Sequence, residues 1–332
     1  LREHDKQMDG STAPSEEDLT RGGRVAVVIP CLNEGPTIGG VVTAFRRHLP
    51  EAEILVFDNG STDDTASAAA EAGAVVMSEK RRGKGYVVQA MFERVEADYF
   101  VMVDGDDTYP AERARALLEP VVRGEADMTI GSRIMRGSSS EIRFLNWVGN
   151  KFFKRVINTI FRTSLTDILS GYRCMNRRLV KSLPLFVKGF DVEAEITIKS
   201  LERGYRLVEV PVDLRPRVEG SHSKLRLLRD GLSILGTIFS LFRDYKPLTF
   251  FGGIGVVLFL LGLVPAGYLV FGRPLAEPGE TILLFATLVL VIFAMVFVSV
   301  GLVLHTVNRR FQELEHLMRL SERETDTTMG EQ

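Results

Sequence analysis

Two aspartates separated by one glycine, Asp104-Gly105-Asp106, follow directly on the apolar run Tyr99-Phe100-Val101-Met102-Val103. Carboxylates at that spacing, delivered by a buried strand, can share a hard, oxygen-preferring ion such as Mg²⁺ or Mn²⁺. Such an ion can also bridge a diphosphate. Solvated acidic turns use the same spacing, so the metal reading leans on the strand before it and on Asp58, which ends another apolar run. Asp58 is either a turn residue or an acceptor for hydrogen bonds from the base and ribose of a nucleotide. Arg81-Arg82-Gly83-Lys84-Gly85 is a basic, glycine-flanked loop opening a helix. It suits phosphate charge, a solvated surface or an anionic bilayer.

These residues need a frame to hold them. Between residues 24 and 132 short apolar runs alternate with amphipathic stretches, the pattern of β-α-β units on a mostly parallel sheet. The expected strands are 25–29, stopped by Pro30, then 53–57, 74–77, 99–103 and 128–130. A helix is expected over 37–48, and a second starts after the turn 59–64 with Ser61 or Thr62 as cap. The first, second and fourth strands thus deliver Asn33 and Glu34, Asp58, and Asp104 with Asp106 at their carboxyl ends, where open α/β sheets bind ligands. Neither G-x-G-x-x-G nor a Walker loop occurs, so phosphates must be held another way. The segment Phe190-Asp191-Val192-Glu193-Ala194-Glu195 opens an amphipathic helix to about Arg203. Its acids either serve the helix dipole or reach a sugar.

Composition narrows the class. Across 332 residues, 41 basic side chains face 43 acidic ones, a balance that argues against bulk binding to nucleic acid. The cysteines, Cys31 and Cys174, form no metal-ligand pattern and read as reduced thiols in a reducing compartment. Two runs, 247–271 and 281–304, contain no charge. Each exceeds the ~20 residues a helix needs to cross a ~30 Å hydrocarbon core. Arg243 and Lys246 precede the first, and Arg309 and Arg310 follow the second. The positive-inside rule therefore predicts a multi-pass protein of the cytoplasmic membrane with its large domain on the cytoplasmic side. The resulting layout is a disordered tail 1–22 without a signal-peptide pattern, a soluble α/β domain 23–224, a juxtamembrane amphipathic helix 225–246, spans 247–271 and 281–304 joined by the external loop 272–280, and a C-terminal helix and tail 305–332.

Taken in order, Val27-Val28-Ile29-Pro30-Cys31-Leu32-Asn33-Glu34, Asp58-Asn59-Gly60-Ser61-Thr62-Asp63-Asp64-Thr65, Arg82-Gly83-Lys84-Gly85 and Asp104-Gly105-Asp106 resemble the family 2 glycosyltransferases of the GT-A fold. Gly131-Ser132-Arg133, Asp167-Ile168-Leu169-Ser170-Gly171-Tyr172-Arg173, Glu209-Val210-Pro211-Val212 and Gly220-Ser221-His222-Ser223-Lys224-Leu225 look like its dolichol-phosphate mannose synthase and polyprenyl-phosphate glucosyltransferase branch. The resemblance covers about residues 24–225.

It implies a nucleotide-sugar site of Pro30, Asn33, Glu34, Asp58, Lys84, Asp104, Gly105, Arg217, Ser223 and Lys224. It implies that Asp104 and Asp106 hold the cation, that Arg133 and Arg143 face an acceptor phosphate, and that Asp106, Asp167 and Arg133 carry the catalysis. It further implies a nucleotide-sugar donor, with UDP-glucose, another UDP-sugar and GDP-mannose all left open, and a polyprenyl phosphate acceptor. That acceptor is already anionic, so positioning and charge neutralisation outweigh base catalysis, and direct displacement inverts the anomeric centre.

Aromatics mixed with Arg143, Lys151, Lys154 and Arg155 give the segment 143–162 the composition of an interfacial helix. Apolar residues at helical spacing after 304 predict packing on a neighbouring subunit, hence a homo-oligomer. Two rivals stand beside this reading. A processive polysaccharide synthase is opposed by the missing Gln-x-x-Arg-Trp, the only tryptophan being Trp147. A non-catalytic scaffold partnering a flippase or later transferase is opposed by the presence of Asp104, Asp106, Arg133 and Asp167 together.

Overall fold

The computed structural model describes residues 23–133, 154–155, 157–159, 161–189, 191–216, 236, 239–240, 242–272 and 278–330, with side chains of the last helix described to Phe311. The predicted tail 1–22, most of 143–162 and most of 225–246 lie outside them, as do Arg143, Trp147, Arg217, His222, Ser223 and Lys224. The chain divides into two compact units, Leu1–Thr237 and Ile238–Gln332.

The first unit is built on a seven-stranded sheet. In chain order the strands are β1 Val25–Cys31, β2 Glu53–Asp58, β3 Val75–Ser78, β4 Tyr99–Met102, β5 Met128–Arg133, β6 Arg173–Asn176 and β7 Leu207–Val212, arranged β3-β2-β1-β4-β6-β5-β7. β1 pairs in parallel with both β2 and β4. Its residues 25–29 are all buried, as a strand covered on both faces requires. β6 runs antiparallel between β4 and β5, so β4 and β5 point the same way, and β7 joins β5 in parallel. The carboxyl ends of β1, β2, β4 and β5 therefore share one edge of the sheet.

The helices are α1 Gly35–His48, α2 Thr65–Glu71, α3 Lys84–Arg94, α4 Ala114–Val122, α5 Arg177–Ser182 and α6 Val192–Glu202. Val27, Ile29 and Val101 meet Val42, Phe45 and Leu117 of α1 and α4 on one face. On the other, α3 packs against β1, β2, α5 and α6. Each fully buried Val, Leu, Ile or Phe contributes about 1.5–3 kcal/mol, the main force holding helices to sheet. Asn176 caps α5 by accepting the Leu179 amide. Cys31 and Cys174 are buried and form no disulfide.

Three local expectations are corrected. Pro30 does not stop β1, which continues to Cys31. Val28 O accepts the Val103 amide at 3.2 Å, so alternate residues from Val28 face β4. β4 ends at Met102, opposite Val28, so the missing N–H of Pro30 falls past the last β1–β4 pair, where it breaks no ladder bond. Neither Ser61 nor Thr62 caps α2. Asp64 occupies the N-cap position, while Ser61 and Thr62 are engaged with Asn33. Lastly, α6 is not amphipathic: it is buried from Val192 through Ser200. Its charges tolerate burial because Glu193 pairs with Lys84 and Glu195 with Lys199.

The second unit contains α7, Pro247–Phe271, and α8, Gly279–Gly330. The most apolar 18-residue window of α7 has a mean hydropathy of 2.4, and that of Gly279–Phe311 in α8 one of 3.0. Their most apolar windows are only 11% and 6% buried within the molecule. Apolar surface so exposed fits association with a membrane. The two helices approach closely at glycines. A Cβ on Gly255 would lie 2.7 Å from Val298 Cγ2, and one on Gly301 3.1 Å from Phe251 Cβ.

Candidate functional site

The shared sheet edge carries three loops stitched into one another. Asn33, with φ 51°, lies in the left-handed region that asparagine tolerates better than most residues. Its Oδ1 accepts the Thr62 amide at 2.7 Å, and its own amide donates to Ser61 Oγ at 2.8 Å. Asp58 accepts the Ser61 amide at 3.2 Å. The loop after β1 is thus tied to the loop after β2, and Asp58 and Glu34 are placed by that tie.

Asn59, buried, does the same for the loop before α3. Its Nδ2 donates to Glu79 O and Arg81 O at 2.9 and 2.8 Å, and its Oδ1 accepts the Gly83 amide at 2.8 Å. Gly83 has φ 137°, and a Cβ there would stand 2.2 Å from Lys188 O. Glycine is therefore required, and it sets Lys84 at the first turn of α3. Lys84 Nζ lies 2.6 Å from Asp104 Oδ1 and 2.5 Å from Glu193 Oε1. Burial alone pulls this ammonium down, but Asp104 and Glu193 outweigh it and raise it above the usual lysine value.

Asp106 is buried, and its Oδ1 accepts from the Thr108 amide and hydroxyl at 3.2 and 2.6 Å. Gly105 O accepts the Thr37 hydroxyl at 2.7 Å, which fastens the turn to the start of α1. A Cβ on Gly105 would meet Cys31 Sγ at 2.7 Å. Arg215 holds the other flank, with its amide on Thr108 O at 2.9 Å and its guanidinium on Asp107 and Glu112. Among the described residues no group of three His, Cys, Asp or Glu side chains gathers around one point. The acid pair supplies oxygen donors alone and leaves further positions to phosphate and water, a set that suits Mg²⁺ or Mn²⁺.

At the end of β5, Arg133 grips Asp167 with Nε at 2.5 Å and Nη2 at 2.8 Å, and its amide lies 3.2 Å from the same carboxylate. Burial lowers the guanidinium, but the paired carboxylate overrides it and holds Arg133 above its ordinary value. Glu209 of β7 steadies the loop from behind, accepting the Thr166 and Asp167 amides at 2.7 Å each. Tyr109, whose phenol burial raises, accepts the Gly171 amide at 3.1 Å. A Cβ on Gly171 would stand 2.5 Å from Asp104 Oδ2, so the Asp167 loop and the acid pair are in contact.

The structure thus brings Pro30, Asn33, Glu34, Asp58, Lys84, Asp104, Gly105, Asp106, Arg133 and Asp167 to one sheet edge. Sequence reasoning missed Asn59, Glu79, Tyr109 and Arg173, and it left open whether Glu193 and Glu195 serve the helix dipole or a sugar. Arg173 is fully buried, and its guanidinium donates to Ser170 O, Ile168 O and Thr197 Oγ1 at 2.7 to 2.8 Å. Burial pulls it down to about 10. Arg173 opens β6, a strand outside the five expected ones, so local patterning gave no signal for it.

Comparison with known proteins matches residues 26–183 to the family described as Glycosyl transferase family 2. Glycosyltransferase AglJ of Haloferax volcanii is 35% identical over 248 residues, spanning 74% of this chain and 81% of the relative. A dolichyl-phosphate hexose transferase of the same organism is 31% identical over 193 residues, 58% of this chain and 83% of the relative. Among solved structures, glucosyl-3-phosphoglycerate synthase from Mycobacterium tuberculosis, in complex with Mn²⁺, UDP-glucose and phosphoglyceric acid, has a TM-score of 0.58 at 25% identity, covering 68% of this chain and 81% of that one.

Proposed function

This chain belongs to glycosyl transferase family 2, and we propose that it transfers a hexose from UDP-glucose or GDP-mannose to a polyprenyl phosphate, with inversion, on the cytoplasmic leaflet. The observation that carries the reading is the contact of two chemically distinct clusters at one sheet edge. Asp104 and Asp106 form an acidic cluster suited to a cation and a diphosphate. Arg133, held by Asp167, forms a cationic one suited to a second phosphate, and Gly171 joins them. The dolichyl-phosphate hexose transferase of Haloferax volcanii supports the lipid acceptor, and the synthase crystallised with Mn²⁺ and UDP-glucose supports the donor and ion. The apolar helices α7 and α8 fit a substrate that lives in the bilayer. Arg243, Lys246, Arg309 and Arg310 favour the cytoplasmic side for the catalytic domain, 23–224.

Each side chain then has a task. Pro30, Glu34 and Asp58 line the nucleoside, with Asn33 locking the loops beneath it. Asp104 and Asp106 would hold Mg²⁺ or Mn²⁺, which when bound neutralises charge on the departing nucleoside diphosphate. Lys84 adds a positive charge within reach of the diphosphate. Arg133 orients the acceptor phosphate, whose oxygen attacks the anomeric carbon opposite the leaving group. Asp167 holds the arginine fork in its plane, so the nucleophile arrives aligned. Arg143, Arg217, Ser223 and Lys224 are assigned to phosphate contacts on family resemblance.

The test is transfer by the purified, detergent-solubilised chain offered undecaprenyl phosphate, Mg²⁺ or Mn²⁺, and radiolabelled UDP-glucose or GDP-mannose. A labelled lipid from one donor, lost with EDTA and with Asp106→Ala, is the expected result. Binding of a nucleotide-sugar without lipid product would move the acceptor elsewhere. Failure to bind any nucleotide would sink the enzyme reading.

A further inference from the structure

One ammonium bridges two carboxylates that come from different elements. Lys84 Nζ has Asp104 Oδ1 at 2.6 Å and Glu193 Oε1 at 2.5 Å, and Glu193 is itself buried near the N-terminus of α6. The lysine backbone is clamped: Gly83 donates to Asn59 Oδ1, and Gly83 and Gly85 lie beneath the Lys188 and Val187 carbonyls. A rearrangement of Lys84 must therefore come from its side chain.

We propose that the Lys84 ammonium is a built-in stand-in for the divalent cation, and that Glu193 is the positioning residue that tethers it when the cation takes Asp104. This rests on the reading of Asp104 and Asp106 as cation ligands. An ion on Asp104 would face the ammonium across one carboxylate, where like charges repel strongly in a partly buried site. Entry of the ion and withdrawal of Lys84 from Asp104 are therefore one event. A diphosphate arriving with the ion offers the ammonium a new anion, and Glu193 keeps it within a side chain's swing of that anion. The ion alone binds weakly, and ion and nucleotide each strengthen the other by the same factor.

The measurement is Mn²⁺ binding to the full chain in detergent, read from the paramagnetic resonance signal of free Mn²⁺, alone and with saturating UDP or GDP. Wild type should bind Mn²⁺ at least about fivefold more tightly with nucleotide present, the lower end of ordinary coupling. Lys84→Met should bind Mn²⁺ alone about fivefold or more tighter than wild type and lose most of the nucleotide gain. Glu193→Gln should shift the other way, because the displaced ammonium loses its counter-charge. Thermal melting verifies that each variant folds. If Lys84→Met does not, the sign of the Glu193→Gln shift decides. Equal Mn²⁺ affinity in wild type and Lys84→Met, or tighter binding in Glu193→Gln, overturns the stand-in. Mn²⁺ affinity with nucleotide that ignores Asp104→Asn and Asp106→Asn overturns the cation site itself, a distinguishable failure.

Discussion

Arg133 and Asp167 face one another as fork and carboxylate, Nε to Oδ2 at 2.5 Å and Nη2 to Oδ1 at 2.8 Å, with the Arg133 amide also closing on Oδ2 at 3.2 Å. A guanidinium carries five donors, so this grip fixes its plane while using only part of its capacity. Asp167 is pinned in turn, its amide donating to Glu209 at 2.7 Å. Orientation therefore passes from β7 through the Asp167 loop to the end of β5.

Replacing Asp167 with Asn keeps the shape but removes the charge that holds the fork. We expect kcat/KM for the lipid acceptor to fall about 10²-fold, the scale of a misplaced reacting group. Arg133→Lys should fall comparably, since a point charge cannot reproduce a two-point grip. Acceptor-dependent initial rates read both, and wild-type rates for either variant would remove this pair from the reaction.

Gly171→Ala tests the junction between the clusters. A Cβ there would stand 2.5 Å from Asp104 Oδ2, so the acid must move. Transfer should drop by at least about tenfold, the cost of a small misplacement, with the melting temperature changed far less than in an Arg173 variant. Undiminished transfer would mean that Asp104 does not need its present position.

Arg173→Leu should destabilise the domain. It leaves Ser170 O and Thr197 Oγ1 without the guanidinium donor, and Ile168 O with the Thr197 hydroxyl at 3.3 Å, in a fully buried setting. Each orphaned buried acceptor costs about 1–3 kcal/mol before relaxation, so a loss of about 2–4 kcal/mol is expected. Thermal or denaturant unfolding in detergent measures it. A loss below about 1 kcal/mol would mean that the 168–170 loop finds other donors.

Glu79 sets an acid limit. Hydrogen bonds from the Arg81 side chain and amide outweigh burial and hold its carboxyl below the ordinary range. A carboxylate lowered on folding stabilises the native state above its unfolded pKa of about 4.3. That contribution is lost as pH falls through the lowered folded value. Glu79→Gln should therefore melt lower than wild type at pH 7 and converge with it as the pH falls through the lowered folded value. Parallel melting curves from pH 7 to 3 would contradict the assignment.

Much of this was legible because its causes are local. Apolar runs that end in Asp58 or in Asp104-Gly105-Asp106 announce strands with acids at their carboxyl ends, and the uncharged runs that become α7 and α8 need no partner to be recognised. Arg133 and Asp167, by contrast, stand 34 residues apart and are named in the sequence only by resemblance. Glu193 falls at a helix start, where a dipole role accounts for it until Lys84 is seen beside it.

The sequence by itself determined the alternation of strands and helices, the acidic ends of β1, β2 and β4 and the apolar hairpin segments, since periodicity and charge are properties of neighbouring residues. Tertiary structure alone decided that β6 runs antiparallel between β4 and β5. Its pairing of Met102 with Arg173 sets Gly171 against Asp104 and so joins the two clusters. It also decided that Pro30 sits inside β1, because β4 ends short of it. Strand order and buried pairing depend on which surfaces meet across long stretches of chain. No window of adjacent residues contains that information.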